Sequence, residues 1–159
     1  MVSQEEEEPS FDVKVYVYDI SHGLAAIYAP AFLGINLDAV YHTSVVVYEK
    51  EYYIDSGIKI SNPGSTKHGT PKEILSLGKT FISKDIFEDF IEDLRSHESG
   101  KYLAEGYDIF DNNCNHFTDT CLDFLVGKRL EDRILTLPQR VLSSPNGQHL
   151  RNMLGNFQP

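Results

Sequence analysis

The chain is predicted to be an α+β domain, a small antiparallel sheet packed with helices, and three features carry that prediction. Val13-Lys14-Val15-Tyr16-Val17-Tyr18-Asp19 alternates in the period of two that a strand requires. Val40-Tyr41-His42-Thr43-Ser44-Val45-Val46-Val47-Tyr48, then Glu49-Lys50-Glu51, then Tyr52-Tyr53-Ile54-Asp55, reads as a hairpin with its turn at Glu49–Glu51. Apolar residues at helical spacing recur over Ile86, Phe87, Phe90, Ile91 and Leu94, and again over Cys114, Phe117, Cys121, Phe124 and Leu125.

Taken in order, residues 1–10 are acidic, lack periodicity and are expected to form a mobile tail. After the first strand, Ser21-His22-Gly23 turns the chain into the short apolar segment Leu24–Leu33, with His22 as an exposed turn residue. On the hairpin's first strand, His42, Ser44, Val46 and Tyr48 share one face, and Tyr41, Thr43, Val45 and Val47 share the other. The stretch is apolar enough for both faces to be buried. From Gly57 to Lys79 the Asn, Pro, Gly and Ser clusters predict an irregular loop, in which His68 has no evident partner. Thr80-Phe81-Ile82 is expected as the last strand. Ser83 caps the following helix, whose Glu88, Asp89, Glu92 and Asp93 form a solvated face and whose end is followed by His97. Beyond Gly127, Leu137-Pro138 and Ser144-Pro145-Asn146-Gly147 punctuate two short helical pieces, and residues 155–159 form a tail.

Composition narrows the classes of function. With 159 residues and 41% hydrophobic content the chain suits one domain, here placed at residues 11–154. A formal net charge of −10 argues against nucleic acid or an anionic membrane surface. The longest apolar run, Leu24 to Ile35, is broken by Pro30 and Gly34 and is too short to cross a bilayer. Two cysteines on one helix, seven residues apart, would stand about 10 Å from each other at ~1.5 Å per residue, too far to bridge. With the acidic start Gln4–Glu8, which cannot open a signal peptide, this points to a reducing compartment, the cytoplasm with the nucleus as a second location.

The chemistry concentrates at Asn112-Asn113-Cys114-Asn115-His116-Phe117. Asn112 or Asn113 can accept from a free N–H of the first helical turn, which puts Cys114 at the positive helix end, where a thiolate is favoured. Cys121, two turns further along the same face, is core. Cys114 needs a base. His116 lies two residues on and points about 200° away on a helix, so it cannot share a proton with Cys114. His42, 72 residues earlier, is compatible, because catalytic cysteine and histidine meet in the fold rather than in sequence. Such a pair attacks carbonyl carbon, with the Cys114 backbone N–H facing the oxyanion. Cys114, His116 and Cys121 lack zinc spacing, and neither a metal nor a cofactor is expected.

Several segments together carry a resemblance. Val15-Tyr16-Val17-Tyr18-Asp19, Tyr41-His42-Thr43-Ser44, Tyr107 with Asn113-Cys114-Asn115-His116-Phe117, and Leu137-Pro138 through Pro145-Asn146-Gly147-Gln148 resemble, in order from about residue 13 to 154, the PPPDE family. These are peptidases of a permuted papain-like fold, and the likeness is to its desumoylating isopeptidases. The resemblance implies that His42 and Cys114 are the catalytic dyad; Asn113 and Asn115, on either side of the cysteine, are candidates for oxyanion binding or positioning. It also implies that the substrates are proteins joined through lysine to a ubiquitin-like modifier, SUMO foremost and ubiquitin as the alternative, and that the enzyme is a homodimer. One departure concerns Asp108, which stands where papain-like proteases carry a glutamine and cannot stabilise an oxyanion. Asn113–Phe117 is also similar to the cysteine motif of the lecithin:retinol acyltransferase-like family, but the tryptophan that follows histidine there is missing here. Acyl-thioester chemistry and an inactive modifier-binding module are therefore the rival readings.

Overall fold

A computed structural model describes residues 8–55, 57–96 and 114–154 of the chain. Strand β1 (Phe11–Asp19) leads into helix α1 (Leu24–Leu33); strands β2 (Tyr41–Val47), β3 (Lys50–Ile54), β4 (Ile58–Ser61) and β5 (Glu73–Thr80) follow. Helices α2 (Lys84–Arg95), α3 (Cys114–Val126), α4 (Asp132–Leu135), α5 (Leu137–Leu142) and α6 (Gly147–Leu154) complete it. The five strands form one antiparallel sheet in the order β4-β3-β2-β1-β5. The α+β expectation holds. The acidic tail falls mostly, and the C-terminal tail wholly, outside the described residues, as do His97, Tyr107, Asp108, Asn112 and Asn113.

One face of the sheet makes the core. Val13, Val15 and Val17 of β1, Val45 and Val47 of β2 and Tyr52 of β3 are essentially inaccessible and pack with Phe87 and Ile91 of α2 and Phe117, Cys121 and Leu122 of α3. Aromatic rings join the layers: Tyr52 meets Phe87 edge to face at 4.9 Å, and Phe90 stacks on Phe124 at 4.0 Å. Ser83 caps α2 as expected, accepting from the Ile86 N–H at 3.3 Å. Ile86 itself is exposed, so the buried stripe of α2 is narrower than its periodicity implies. Asp89, Glu92 and Asp93 face solvent.

Three expectations need correction. The hairpin turns at Tyr48 and Glu49, with φ of 55° and 62°, so Val47 pairs with Lys50 and Glu51 pairs with Val46. Two successive left-handed residues are the geometry of a tight hairpin turn, here made without asparagine or glycine. Glu51 is thus a fully buried strand residue. The region 57–79 holds β4 and most of β5, and the last strand lies at Glu73–Thr80, not at 80–82. Both are edge strands in which half-buried and exposed residues mix, so they lack a sustained apolar alternation. The C-terminal segment contains three short helices in place of two.

The punctuation near the C-terminus has a packing role. A Cβ at Gly147 would lie 1.9 Å from the Val141 carbonyl oxygen, so only glycine allows α6 to start there. Asn146 Nδ2 donates to the Phe32 carbonyl at 2.6 Å, which ties this junction to the end of α1.

Candidate active site

The candidate site forms where β1 ends and β2 begins, beside the start of α3. Asp19 closes β1: its carboxylate accepts from the N–H and hydroxyl of Ser21 and from the N–H groups of Gly23 and Val40, at 2.6–3.1 Å. Its burial raises the pKa, and these four donors more than reverse that, holding it below the ordinary carboxylate value. The turn after β1 and the entry to β2 are thereby fixed to one side chain, and His22 is exposed in that turn with φ 53°.

Helix α3 is fastened to β2 by Asn115. Its Oδ1 accepts from the Thr43 hydroxyl at 2.7 Å, and its Nδ2 donates to the Tyr41 carbonyl at 3.0 Å. The two anchored residues flank His42. Cys114, one residue earlier on α3, brings its sulfur to the backbone N–H of Thr43, which lies beyond the Val45–Val47 stretch where β2 and β3 pair. The sulfur therefore meets the peptide unit that joins His42 to Thr43. Burial dominates its ionisation. Although the Thr43, Asn115 and Cys114 N–H groups favour the thiolate, the thiol is pushed up to about 12. The expectation of a thiolate favoured by the helix end is reversed for this arrangement.

The His42 imidazole lies on the opposite face of β2 from the Val45 and Val47 side chains, opposite Tyr18 in the register. Its ring stacks on His68, with centroids 3.7 Å apart and planes 21° from parallel, and it touches Tyr18 and Tyr53 at 5.6 and 6.2 Å. It is 4% exposed, and its Nε2 has no hydrogen-bond partner. Burial first, then the proximity of His68 and Lys67, holds its pKa well below the usual imidazole value. No hydrogen bond joins His42 to Cys114. The fold thus carries both residues to one peptide unit of β2 but leaves the imidazole against His68.

Beneath this pair lies a buried carboxylate. Glu51 Oε2 accepts from the Tyr18 and Ser44 hydroxyls at 2.6 and 2.5 Å, and Oε1 accepts from the Gly64 N–H at 2.9 Å. This holds the 62–70 loop, and so His68, over His42. Neither Glu51 nor His68 was legible as part of the site; Glu51 looked like a turn residue, and no local signal marks a long-range stack. Cys121 is fully buried core, as expected, and both cysteines are free. His116 is half-buried on α3, and its carbonyl accepts from the Thr120 hydroxyl. Asn113 lies outside the described residues. Among the described residues no group of side chains could hold a metal ion, and no helix is long and apolar enough to cross a membrane.

Both stacked histidines bind protons more weakly when folded, His68 through burial and then Lys67. Unfolded histidine titrates near 6.5, so as pH falls below about that value the unfolded chain takes up protons that the folded chain refuses. Their contribution to stability is complete above that range and declines as pH falls toward the folded values. The urea midpoint of the wild type is expected to drop between about pH 7 and 5, and His42→Phe should flatten that slope. Parallel slopes for the two proteins would contradict it.

Comparison with known proteins gives one family. Residues 11–155 match the Peptidase_C97 model, described as "PPPDE putative peptidase domain". Desumoylating isopeptidase 1 of Xenopus laevis is 40% identical over 147 residues, covering 92% of this chain and 85% of the relative. The protein of the same name from Homo sapiens is 38% identical over 149 residues, covering 93% of this chain and 87% of its own.

Proposed function

The chain belongs to the PPPDE peptidase family, and we propose that it is a cysteine isopeptidase that removes a ubiquitin-like modifier, SUMO foremost, from lysine side chains of other proteins. The observation that carries this reading is the meeting of the Cys114 sulfur with the His42–Thr43 peptide at the start of a helix that Asn115 locks to β2.

In the reaction, the His42 imidazole takes the proton of the Cys114 sulfur, a step that requires the ring to leave His68 and reach the α3 side of β2. Sγ attacks the carbonyl carbon of the modifier's last residue, and the Cys114 backbone N–H faces the oxyanion that forms. The carbon–nitrogen bond then breaks as the imidazolium protonates the departing lysine amine. A water molecule, losing a proton to His42, opens the thioester and frees the modifier's carboxylate and the thiol. Asn115 acts by holding α3 against the two residues around His42. This chemistry needs no metal or cofactor. Residues 11–154 are the proposed catalytic unit, working as a homodimer in the cytoplasm and the nucleus, where free thiols persist.

The test is product analysis. Wild type and Cys114→Ser are incubated with matched conjugates of SUMO and ubiquitin and with an S-palmitoylated peptide. Release of free SUMO by the wild type alone is the expected result. Release of ubiquitin would change the modifier, and release of the fatty acyl group alone would move the protein to the thioesterases. Binding of conjugates without release would make it a modifier-binding module.

A further inference from the structure

We propose that residues 62–72 are a built-in restraint on the isopeptidase reaction, a strap that stacks His68 on His42 and keeps the general base on the face of β2 away from Cys114. This deepens the reading of His42 and Cys114 as the dyad and rests on it.

The topology makes the strap. Strands β4 and β5 are the two edges of the sheet, so the chain between Ser61 and Glu73 has to pass from one edge to the other, about 19 Å at ~4.8 Å per strand spacing. It passes over one face. The Gly64 N–H donates to Glu51 at 2.9 Å, Lys67 pairs with Asp55 at 3.0 Å, and the Lys72 N–H donates to the Val17 carbonyl at 2.7 Å. Between these anchors the His68 ring lies on the His42 ring, with centroids 3.7 Å apart. Tyr18 and Tyr53 flank both rings, at 5.6 and 6.2 Å from His42 and 5.7 and 6.1 Å from His68. The base is enclosed on the strap side.

The dyad is thereby divided between two faces. Thr43 faces α3, where its hydroxyl meets Asn115, and Val45 and Val47 follow it into the core. His42, one residue earlier, points the other way by the period of two, to the side where the Ser44 and Tyr18 hydroxyls meet Glu51. The Cys114 sulfur stays with α3, against the Thr43 N–H, and donates to the Asn115 Oδ1 at 3.8 Å. An amide oxygen holds the thiol proton, and an imidazole does not. His42 Nε2 is buried without a partner, so no hydrogen bond at that atom keeps the ring where it rests. The ring contacts of the strap face keep it there.

A contact made in the resting enzyme and broken before the chemistry raises the barrier by its own free energy. His68 is such a contact, because proton transfer from Cys114 requires His42 to leave it. The free enzyme therefore rests latent, and a bound conjugate supplies the energy that lifts the strap. Weakening the stack should speed the reaction.

In the test, release of modifier from the conjugate that the wild type cleaves is measured for wild type, His68→Ala and His68→Phe in the full chain. His68→Ala is expected to raise kcat/KM about twofold to tenfold, the span that one stacked ring pair supplies. His68→Phe keeps a ring on His42 and should stay within about twofold of wild type. The His42 ring protons are followed by NMR in the Cys114→Ser background. Their ring-current shift should be present in the free chain and lost when it is saturated with uncleaved conjugate. A role of His68 in the fold or in substrate contact alone would lower the rate, so an unchanged or lowered kcat/KM in folded His68→Ala overturns the proposal. A ring-current shift that persists in the saturated complex overturns it too, and that measurement decides even where His68→Ala does not fold. Failure of the underlying reading looks different: His42→Ala would continue to release modifier, whereas a failed strap leaves His42→Ala inactive and His68→Ala no faster than wild type.

Discussion

Cys114→Ser and His42→Ala are each expected to slow modifier release on the order of a thousandfold or more, with the fold intact by circular dichroism. A hydroxyl at Cys114 is a far weaker nucleophile without a strong base, and losing three decades of rate corresponds to about 4 kcal/mol of transition-state stabilisation. Without the imidazole, the thiol has only the backbone N–H groups of Thr43, Asn115 and Cys114 and the Asn115 Oδ1, to which it donates at 3.8 Å, and none of these offsets its burial by taking the proton. The two losses should not add in the double variant, because thiol and imidazole act as a unit. Cys121→Ser and His116→Ala supply the contrast. Cys121 is wholly buried among Phe117, Leu122 and their neighbours, so an unpaired hydroxyl there costs stability, about 1–3 kcal/mol, and leaves the chemistry in place. His116 is two residues along α3 from Cys114 and should be replaceable with most turnover retained. Equal loss of activity in all four folded variants, measured as initial rates of modifier release, would refute the assignment.

The contrast between these residues also shows what one sequence makes legible. Cys114 could be singled out because a helix start concentrates N–H groups, and that is a local property of Asn112–Phe117. Strand β1 and helices α2 and α3 were legible because each buries one regular face and the period appears in the letters, and β2, buried on both faces, because it reads as a continuous apolar run. Edge strand β5 exposes Ile74 and half-buries Glu73, so its pattern does not repeat. The ionisation of Cys114 is set by the whole core and not by the helix end alone, because burial outweighs the N–H groups that favour the thiolate. His68 is 26 residues from His42 across two strands, and nothing in the intervening sequence encodes a stack. The turn at Tyr48–Glu49 adds a further lesson. Its left-handed residues are neither glycine nor asparagine, so the turn was placed one to two residues too late and the buried strand residue Glu51 was taken for part of the turn.

That carboxylate yields the other large effect. Glu51→Ala is expected to cost about 3–5 kcal/mol of stability, read as a lowered urea midpoint, because three donors lose their acceptor in a place water does not reach. Tyr18 hydroxyl, Ser44 hydroxyl and Gly64 N–H all converge on the two oxygens, and Glu51 is fully buried. Glu51→Gln should lose less. Hydroxyl protons can rotate, so Tyr18 and Ser44 can accept from the new amide while its oxygen keeps the Gly64 N–H; the backbone donor has no such freedom. The double-mutant cycle with Tyr18→Phe distinguishes this account from simple loss of packing. In the wild type, Tyr18→Phe removes a good hydrogen bond and should destabilise. In the Glu51→Ala background it removes an orphaned hydroxyl, so its cost should vanish or reverse. An additive pair would mean that the carboxylate is not what holds Tyr18. Glu51→Ala also releases Gly64 and with it the loop that lays His68 on His42, so turnover per folded molecule should rise while stability falls, whereas Glu51→Gln, which retains that anchor, should keep the wild-type rate. Unchanged turnover by folded Glu51→Ala would uncouple the loop from the site.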